Sequence, residues 1–154
     1  MDKTKLSESD ICDKFIRPAM EQAGWNGLDQ IFREYPLRAG RVVVRGSKAY
    51  RDKSTVLRAD YALFYKANIP LAVVEAKDNQ HAVGAGMGQA LNYAQLLDVP
   101  FSFSSNGDGF VFRDATLATG VLEQNLTLDE FPSPQELWRR YCAWKGWSDE
   151  ESRI

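Results

Sequence analysis

The alternation of apolar and polar residues along the chain predicts nine elements, in the order α, β, β, β, β, α, β, β, α. Period-2 alternation indicates strands, and apolar residues spaced three and four apart indicate helices. Strands are predicted at 30–37, 41–44, 57–65, 71–76, 101–104 and 109–113, and helices at 8–23, 83–97 and 134–145. The pattern is typical of an α/β domain in which helices flank a central sheet.

Capping residues mark where the helices begin and end. Ser7 with Asp10 has the pattern of a capping box, which predicts a helix that begins at Glu8. Pro18 removes an N–H from the middle of that helix, so we expect a kink or a division there. The segment Ser133-Pro-Gln-Glu136 predicts a second capped start, with proline at the first helical position.

Two neighbouring predicted strands bring three ionisable side chains to one point. Antiparallel pairing of Tyr65 with Pro70 sets Asp60 directly opposite Glu75, and directly opposed residues have Cβ atoms roughly 4.5 to 5.5 Å apart. Lys77 is two residues beyond Glu75, so the period of the strand sends it to the same face. An Asp, a Glu and a Lys therefore converge.

Two carboxylates at this short separation must share a proton or hold a cation between them. Mg²⁺ suits such a pair, because it takes one or two carboxylates and completes its octahedron with waters and substrate phosphate oxygens. That chemistry fits phosphodiester hydrolysis, with the lysine orienting or deprotonating the water. The alternative is that Asp60 and Glu75 are ordinary solvated strand residues, with Lys77 protecting a sheet edge.

Several segments resemble a known family. Asp60 followed by Glu75-Ala76-Lys77 resembles the PD-(D/E)xK nuclease signature, and Gln89-Ala-Leu-Asn-Tyr93 resembles the QxxxY motif of RecB-type nucleases. Segments 59–66, 69–78 and 104–109 are similar to the N-terminal endonuclease region of the restriction (R) subunit of type I restriction-modification enzymes. Ala59 departs from the proline in the motif's name. That position carries no chemistry.

The resemblance implies a restriction-endonuclease-like α/β core, with a mixed central sheet flanked by helices. It also implies that Asp60 and Glu75 bind Mg²⁺, for which Mn²⁺ substitutes, with help from the backbone carbonyl of Ala76. Lys77 would position or activate the water. Glu8 corresponds to an acidic residue near the site in many nucleases of this fold. A carboxylate in the first turn of a helix also stabilises the helix dipole, so both roles stay open for Glu8.

Gln89 and Tyr93 are four residues apart, which places them on one face of a helix. The resemblance implies that this face lies beside the metal centre. Gln89 would hold the Lys77 region or a phosphate, and Tyr93 would hydrogen-bond DNA. The alternative is a Gln and a Tyr at the boundary of the core. His81 is either a helper in proton transfer or a loop residue without a role.

Composition fits one compact domain in a reducing compartment. The chain has 154 residues, of which 44% are hydrophobic and 26% are charged, as is ordinary for a globular protein. No apolar run approaches the roughly 20 residues of a membrane span, and the start of the chain lacks a signal-peptide core. Cys12 and Cys142 have no metal-ligand spacing, so we expect reduced thiols and a cytoplasmic protein without membrane contact.

The formal net charge of −2 does not by itself favour binding to DNA. The segment from Arg45 to Arg58 is locally basic and leads into the strand of Asp60, so it is either a phosphate-binding segment or a solvated loop. The weak overall charge favours a larger assembly that delivers double-stranded DNA. The resemblance implies partners in the motor domains of the same subunit and in the modification and specificity subunits.

No ATPase motif occurs in the sequence, because Gly40 and Gly46 have the wrong spacing for a P-loop. The resemblance therefore implies that ATP serves only motor domains outside this chain, with residues 1–131 as the nuclease domain and 132–154 as a C-terminal helix approaching them. The function predicted is a Mg²⁺-dependent DNA endonuclease domain without sequence preference of its own. The alternatives are a free-standing RecB-type repair nuclease and a non-catalytic module that binds DNA or partners.

Overall fold

The computed structural model describes residues 2–38, 42–45, 48–51, 56–117, 119–120 and 122–147. The helices are α1 (Glu8–Ile11), a π-helical turn (Cys12–Ile16), α2 (Arg17–Gln22), α3 (Met87–Leu97) and α4 (Pro134–Lys145), with short 3₁₀ turns at Lys3–Lys5 and Leu128–Glu130. The strands are β1 (Ile31–Arg38), β2 (Val42–Arg45), β3 (Lys48–Arg51), β4 (Val56–Lys66), β5 (Ile69–Ala76), β6 (Phe101–Ser105), β7 (Phe110–Asp114) and β8 (Leu122–Leu126).

Six strands form one mixed sheet in the order β1-β4-β5-β6-β7-β8. The pairing of β5 with β6 is parallel, and the other pairs are antiparallel. A parallel pair requires a crossover connection, and α3 is the helix in that connection. The predicted α/β architecture, a mixed central sheet with flanking helices, is confirmed.

The N-terminal helical region follows the predicted signals. The Ser7 hydroxyl accepts a hydrogen bond from the Asp10 N–H at 3.1 Å, and the Asp10 carboxylate accepts one from the Ser7 N–H at 3.2 Å, so the capping box is complete. The helix then widens into the π-helical turn just before Pro18. This turn accommodates a residue that has no N–H to donate and a ring that crowds the preceding turn.

Two strands were not predicted, and one predicted helix boundary is wrong. Strand β3 was not predicted, since its sequence Lys-Ala-Tyr-Arg reads as part of a basic loop, and it pairs with β2 in a separate two-stranded sheet. Strand β8 was also missed, because its central residues are polar and exposed at the edge of the main sheet. Helix α3 begins at Met87 and not near residue 83, because residues 83–86 form turns.

Helices cover both faces of the sheet. The main core joins the N-terminal helices and α4 to one face, and its largest members include Ile11, Met20, Tyr61, Phe103 and Leu137. A smaller cluster joins α3 to the sheet; its buried members are Leu37, Ala59, Val73, Met87, Ala90, Tyr93, Ala94 and Val99. The polar ends of strands lie between two packed layers, which excludes much of the solvent from them.

Helix α4 is capped at both ends and belongs to the main core. The Ser133 hydroxyl accepts a hydrogen bond from the Glu136 N–H at 3.1 Å, and Gly146 ends the helix with φ +72°. The buried ring of Trp138 stacks on Tyr65 at 4.3 Å between centroids. Leu137 and Cys142 are buried in the same core cluster as Trp138.

The Cys12 and Cys142 thiols are both buried, and neither forms a disulfide bond. None of the helices in the described residues has the length and apolar character needed to cross a membrane.

Candidate active site

The hairpin of β4 and β5 sets the register of the site. We predicted that Tyr65 pairs with Pro70. The structure instead pairs Phe64 with Pro70 and Lys66 with Ile69, with an irregularity on each side of Phe64. The first shift moves the register by one residue and the second moves it back, so the rest of the hairpin keeps the predicted register.

Beyond the turn, Tyr61 pairs with Val74, and the next residues along the two strands are Asp60 and Glu75. From this point, hydrogen bonds to side-chain carboxylates replace the backbone pairing of the two strands. The Glu75 carboxylate accepts a hydrogen bond from the Asp60 N–H at 2.6 Å, and the Asp60 carboxylate accepts one from the Ala76 N–H at 2.7 Å. Each carboxylate therefore reaches across to the other strand, and the predicted convergence of Asp60 and Glu75 is present.

The two carboxylates are costly to ionise together. Burial, and then the charge of Asp60, raise the pKa of Glu75 to about 8, although the hydrogen bond from the Asp60 N–H opposes that rise. Burial also raises the pKa of Asp60, against the lowering effects of the Ala76 N–H and of Arg33. Only 1% of Glu75 is exposed to solvent. A proton or a cation is therefore favoured between them.

Lys77 stands one residue past the end of β5. Its N–H donates to the Ser105 carbonyl at 2.9 Å, which extends the parallel pairing with β6. Its charge lowers the pKa of Glu75, of Asp60 and of Glu8, so the ammonium group lies near all three carboxylates. The structure thus brings the predicted lysine to the predicted pair.

Glu8 reaches the same point from the N-terminal helix. Partial burial and the charge of Asp60 raise its pKa, whereas Lys77 and Arg33 lower it. The charges of the site therefore act on Glu8, but Glu8, Asp60 and Glu75 do not form a group arranged to hold a metal ion. Glu8 also keeps its position in the first turn of α1, where a carboxylate stabilises the helix dipole.

Arg33 belongs to the site although the sequence pattern did not indicate it. Its guanidinium donates to the Asp60 carbonyl at 3.1 Å and lies 3.7 Å from the Asp60 carboxylate. The next residue, Glu34, has φ +53°, in the left-handed region that residues other than glycine rarely adopt. A cross-strand contact of this kind depends on the pairing of β1 with β4, which local sequence does not encode.

Helix α3 begins against the buried carboxylate. The Ser104 hydroxyl accepts a hydrogen bond from the Gly86 N–H at 2.9 Å and donates one to the Val83 carbonyl at 2.8 Å. A Cβ on Gly86 would lie 3.0 Å from the Ser104 hydroxyl and 3.3 Å from the Cβ of Glu75. Glycine therefore permits the close approach of the helix start to β5 and β6, a requirement that sequence alone did not reveal.

Gln89 and Tyr93 follow one turn later. The Gln89 amide donates to the Tyr93 hydroxyl at 2.7 Å, as their shared helix face requires. The ring of Tyr93 is buried in the smaller cluster, whereas Gln89 is exposed. Within the described residues, no hydrogen bond joins this pair to Asp60, Glu75 or Lys77, so the predicted contact with the Lys77 region is not made directly.

Two weaker candidates have plain outcomes. His81 is exposed, and its Nδ1 lies 2.8 Å from the Asp78 carboxylate, in the loop that follows Lys77. Most of the basic segment between Arg45 and Arg58 lies outside the described residues or has only its backbone described. Its predicted role in phosphate binding stays a prediction.

The donor set fits a hard divalent cation. Among the side chains that the structure describes, no group of three or more His, Cys, Asp and Glu residues is arranged to hold a metal ion. Mg²⁺ does not require such a group, since one or two carboxylates suffice when waters and substrate oxygens complete its shell. Asp60 and Glu75 supply two mutually repelling carboxylates, and Ala76, whose carbonyl is the third predicted ligand, directly follows Glu75.

Comparisons with known proteins agree on one relationship. The family model described as the N terminus of the type I restriction enzyme R protein matches residues 5–119. The type I restriction enzyme EcoAI endonuclease subunit of Escherichia coli is 53% identical over 149 residues. That alignment covers 96% of this chain and 18% of the subunit, so the chain corresponds to less than a fifth of this relative.

A solved structure shows the same architecture. It is a fragment assigned as the HsdR subunit of a type I restriction enzyme from Vibrio vulnificus YJ016, with a TM-score of 0.77 and 40% sequence identity. The match covers 94% of this chain and 27% of that one. The mixed sheet and its flanking helices therefore form the restriction-endonuclease-like α/β fold.

Proposed function

The chain belongs to the family of type I restriction enzyme R protein N termini, and from that premise we propose that it is a Mg²⁺-dependent DNA endonuclease domain. It would hydrolyse phosphodiester bonds of double-stranded DNA without a sequence preference of its own. The observation that carries the proposal is the pair of crossed hydrogen bonds that holds the Asp60 and Glu75 carboxylates together beside Lys77.

Asp60, Glu75 and the carbonyl of Ala76 are the proposed ligands of Mg²⁺, with Mn²⁺ as a substitute. Bound there, the ion would polarise the scissile phosphate and lower the pKa of a water. The protein groups prepare this site in advance. The N–H groups of Asp60 and Ala76 fix the direction of both carboxylates, so little reorganisation is needed when the cation binds.

Lys77 is proposed to orient the attacking water or to accept its proton. Its backbone is held by the Ser105 carbonyl, so the side chain starts from a fixed point at the end of the sheet. Glu8 lies at the start of α1 and is proposed as an additional ligand. Its partial exposure suits contact with the ion through water.

Gln89 and Tyr93 are proposed to contact the DNA backbone. The exposed Gln89 amide and the Tyr93 hydroxyl pair with each other at 2.7 Å, so each is preoriented for a phosphate oxygen. They lie on the first turns of α3, whose start packs against Glu75. The pair would position the substrate, whereas the carboxylates and Lys77 perform the chemistry.

The rest of the enzyme would bring the substrate. A net charge of −2 gives little attraction for DNA, so we propose that the motor domains of the same subunit use ATP to deliver DNA and that the modification and specificity subunits complete the complex. We further propose that residues 1–131 form the nuclease domain in the cytoplasm and that 132–154 lead towards the motor domains. Trp144 on α4 is 41% exposed and is available for such a contact.

The test is substitution in the complete complex. Asp60→Ala and Lys77→Ala are each expected to abolish DNA cleavage while leaving folding and ATP-driven translocation intact. Cleavage that persists in either variant would refute the proposal.

A companion assay addresses the alternatives. A free-standing repair nuclease would depend strictly on DNA ends and spare closed circles, whereas an R-subunit domain would cut closed circles that carry a recognition site. Normal activity of an Asp60→Ala complex, together with no divalent binding by calorimetry, would support a non-catalytic module instead. The family match favours the R-subunit domain.

A further inference from the structure

The turn Ser104–Gly109, which joins the end of β6 to β7, contacts three separate segments of the chain. One segment follows Lys77, the second begins α3, and the third is the N-terminal turn before Glu8. These segments adjoin three of the proposed site residues, Lys77, Gln89 and Glu8. The function proposed above uses only the Ser105 carbonyl of this turn, which holds the backbone of Lys77.

The segment after Lys77 is fixed by the side-chain amides of Asn79 and Asn106. The Asn79 side chain donates to the Asn106 carbonyl at 2.9 Å, and the Asn106 side chain donates to the His81 carbonyl at 2.7 Å. Together with the bond from the Lys77 N–H to the Ser105 carbonyl, these contacts hold both ends of the loop at residues 77–81.

The buried amide of Asn106 has its orientation determined by its partners. Only 5% of the residue is exposed. Its oxygen accepts from the Asp108 N–H at 3.0 Å, while its nitrogen donates to His81. If the Asn106 amide were flipped, its nitrogen would face the Asp108 N–H and its oxygen would face the His81 carbonyl, and neither hydrogen bond could form. An aspartate of the same shape would place an oxygen against the His81 carbonyl, so asparagine is required chemically.

The same turn controls the start of α3. The Ser104 hydroxyl is completely buried and bonds both to the Gly86 N–H and to the Val83 carbonyl. The helix that carries Gln89 therefore begins at a point fixed by β6. The turn holds the helix on one side and the lysine loop on the other.

The N-terminal segment closes over the turn. The Lys3 ammonium donates to the Gly107 carbonyl at 3.0 Å, and the Gln80 amide donates to the Thr4 carbonyl at 3.1 Å. Gly107 has φ +95°, and a Cβ there would lie 3.1 Å from the Ile11 side chain. The glycine thus permits both the turn and the close packing of the helical region that begins with Glu8.

We propose that the Ser104–Gly109 turn is the positioning element of the site and that Asn106 is a positioning residue, which acts on Lys77 through the loop at 77–81. The inference rests on the proposed nuclease function and deepens it. Asn106 itself would touch neither DNA nor metal. Its effect is to hold the lysine where a water between the carboxylates is within reach.

Two substitutions separate the two amide bonds. Asn106→Asp removes the donor to His81 at a buried position, and Asn79→Asp removes the donor to Asn106 at a partly exposed one. Asn125→Asp on β8 is the matched control, since it makes the same chemical change at an exposed position of the edge strand. All three are made in the complete R subunit assembled with its partner subunits.

Three quantities are measured for each variant: kcat and KM for DNA cleavage, the Kd of Mg²⁺ by calorimetry, and amide hydrogen exchange by mass spectrometry. We expect both loop variants to lower kcat by about 10-fold to 100-fold, because small misplacement of a catalytic group has effects of that order. KM and the Kd of Mg²⁺ should stay at the control values. Exchange should accelerate at 77–81 while the pairing of β4 with β5 keeps its protection.

Faster exchange at 77–81 with kcat equal to that of Asn125→Asp would overturn the proposal and leave the nuclease function standing. Unchanged exchange in both variants would also overturn it, since the amides would then not hold the loop. If Asn106→Asp loosens the whole domain, Asn79→Asp at its partly exposed position decides. An unsubstituted complex that does not cleave DNA would remove the proposed function and this inference together.

Discussion

Two buried carboxylates of this domain have opposite surroundings. Asp114, at the end of β7, is fully buried and lies 3.0 Å from the Arg140 guanidinium of α4. It also accepts hydrogen bonds from the N–H and the hydroxyl of Thr116, at 2.8 and 2.5 Å. Glu75, at the end of β5, has one backbone N–H and a neighbouring carboxylate.

The contrast separates a structural charge from a reactive one. A buried carboxylate that serves the fold is paired with a cation and hydrogen-bonded, as Asp114 is. Glu75 lies beside Asp60, and burial, followed by the charge of Asp60, raises the pKa of Glu75 to about 8. Perturbed groups of this kind concentrate at functional sites. The repulsion between the carboxylates at the end of β5 therefore favours a proton or a cation there, whereas Asp114 at the end of β7 already has Arg140 as its partner.

The largest expected effect concerns activity. In the complete complex, Glu75→Gln should lower DNA cleavage by at least about 1,000-fold, because loss of a metal ligand removes several kcal/mol of transition-state stabilisation. Asp114→Asn, measured at a temperature where the protein is folded, should leave turnover unchanged. Equal losses in the two variants would show that the comparison does not distinguish function from structure.

The second effect concerns stability, for which Asp114→Asn should have the larger effect and Glu75→Gln the smaller one. Asp114→Asn should lower the free energy of unfolding by roughly 3 kcal/mol, the low end for breaking a buried pair, since Arg140 keeps Glu136 as a partner at 2.9 Å. Glu75→Gln should not destabilise the metal-free protein. Urea denaturation measures both. A larger loss for Glu75→Gln than for Asp114→Asn would contradict the assignment of roles.

The third effect is a pH dependence that Glu75 imposes on the metal-free protein. Its folded pKa of about 8 lies well above the ordinary glutamate value of 4.5, so between these values the folded state holds a proton that the unfolded state has lost. Stability must then fall as pH rises from about 5 to about 8, by roughly 2 kcal/mol once relaxation of the site is allowed for. Glu75→Gln should flatten this slope in urea titrations, and Asp114→Asn should not.

The smallest effect is stabilisation by the ion itself. Mg²⁺ at ten times its Kd should raise the free energy of unfolding by about 1.4 kcal/mol, since it binds only the folded site. The gain should vanish in Glu75→Gln and persist in Asp114→Asn. Calorimetric scans with KCl at matched ionic strength provide the control. A gain that survives in Glu75→Gln would place the ion elsewhere.

The site was predictable to the extent that it depends on one local hairpin. Asp60 and Glu75 come together because strand periodicity and a short connection define their opposition. The predicted pairing at the turn was wrong, and the second irregularity beside Phe64 compensates for the first. Lys77 followed from the same periodicity, which needs no knowledge of the remaining sheet.

The edges of the fold were less predictable. Strand β8 is held by backbone pairing to β7 at the margin of the sheet, where exposed polar side chains satisfy the structure as well as apolar ones. Strand β3 was interpreted as a loop because its sequence, Lys-Ala-Tyr-Arg, is rich in basic residues. A pattern of apolar residues reports burial, and strands that bury little leave a weak pattern.

Contacts between distant segments were not predictable from spacing. Arg33 meets Asp60 across 27 residues, and Asn106 meets His81 across 25. The predicted strands at 101–104 and 109–113 implied a short connection between them, but the partners of that connection depend on the order of strands in the sheet. The residues that hold the site in position are therefore harder to find than those that perform chemistry.

The bond between Lys3 and Gly107 spans 104 residues, so the N-terminal segment can make this contact only after the turn beyond β6 has formed. The hairpin with both carboxylates is complete much earlier, at residue 76. A nascent or truncated chain that ends before this turn thus holds two acidic groups without Glu8, Lys77 and α3 locked around them. Assembly of the centre is therefore tied to completion of the whole domain.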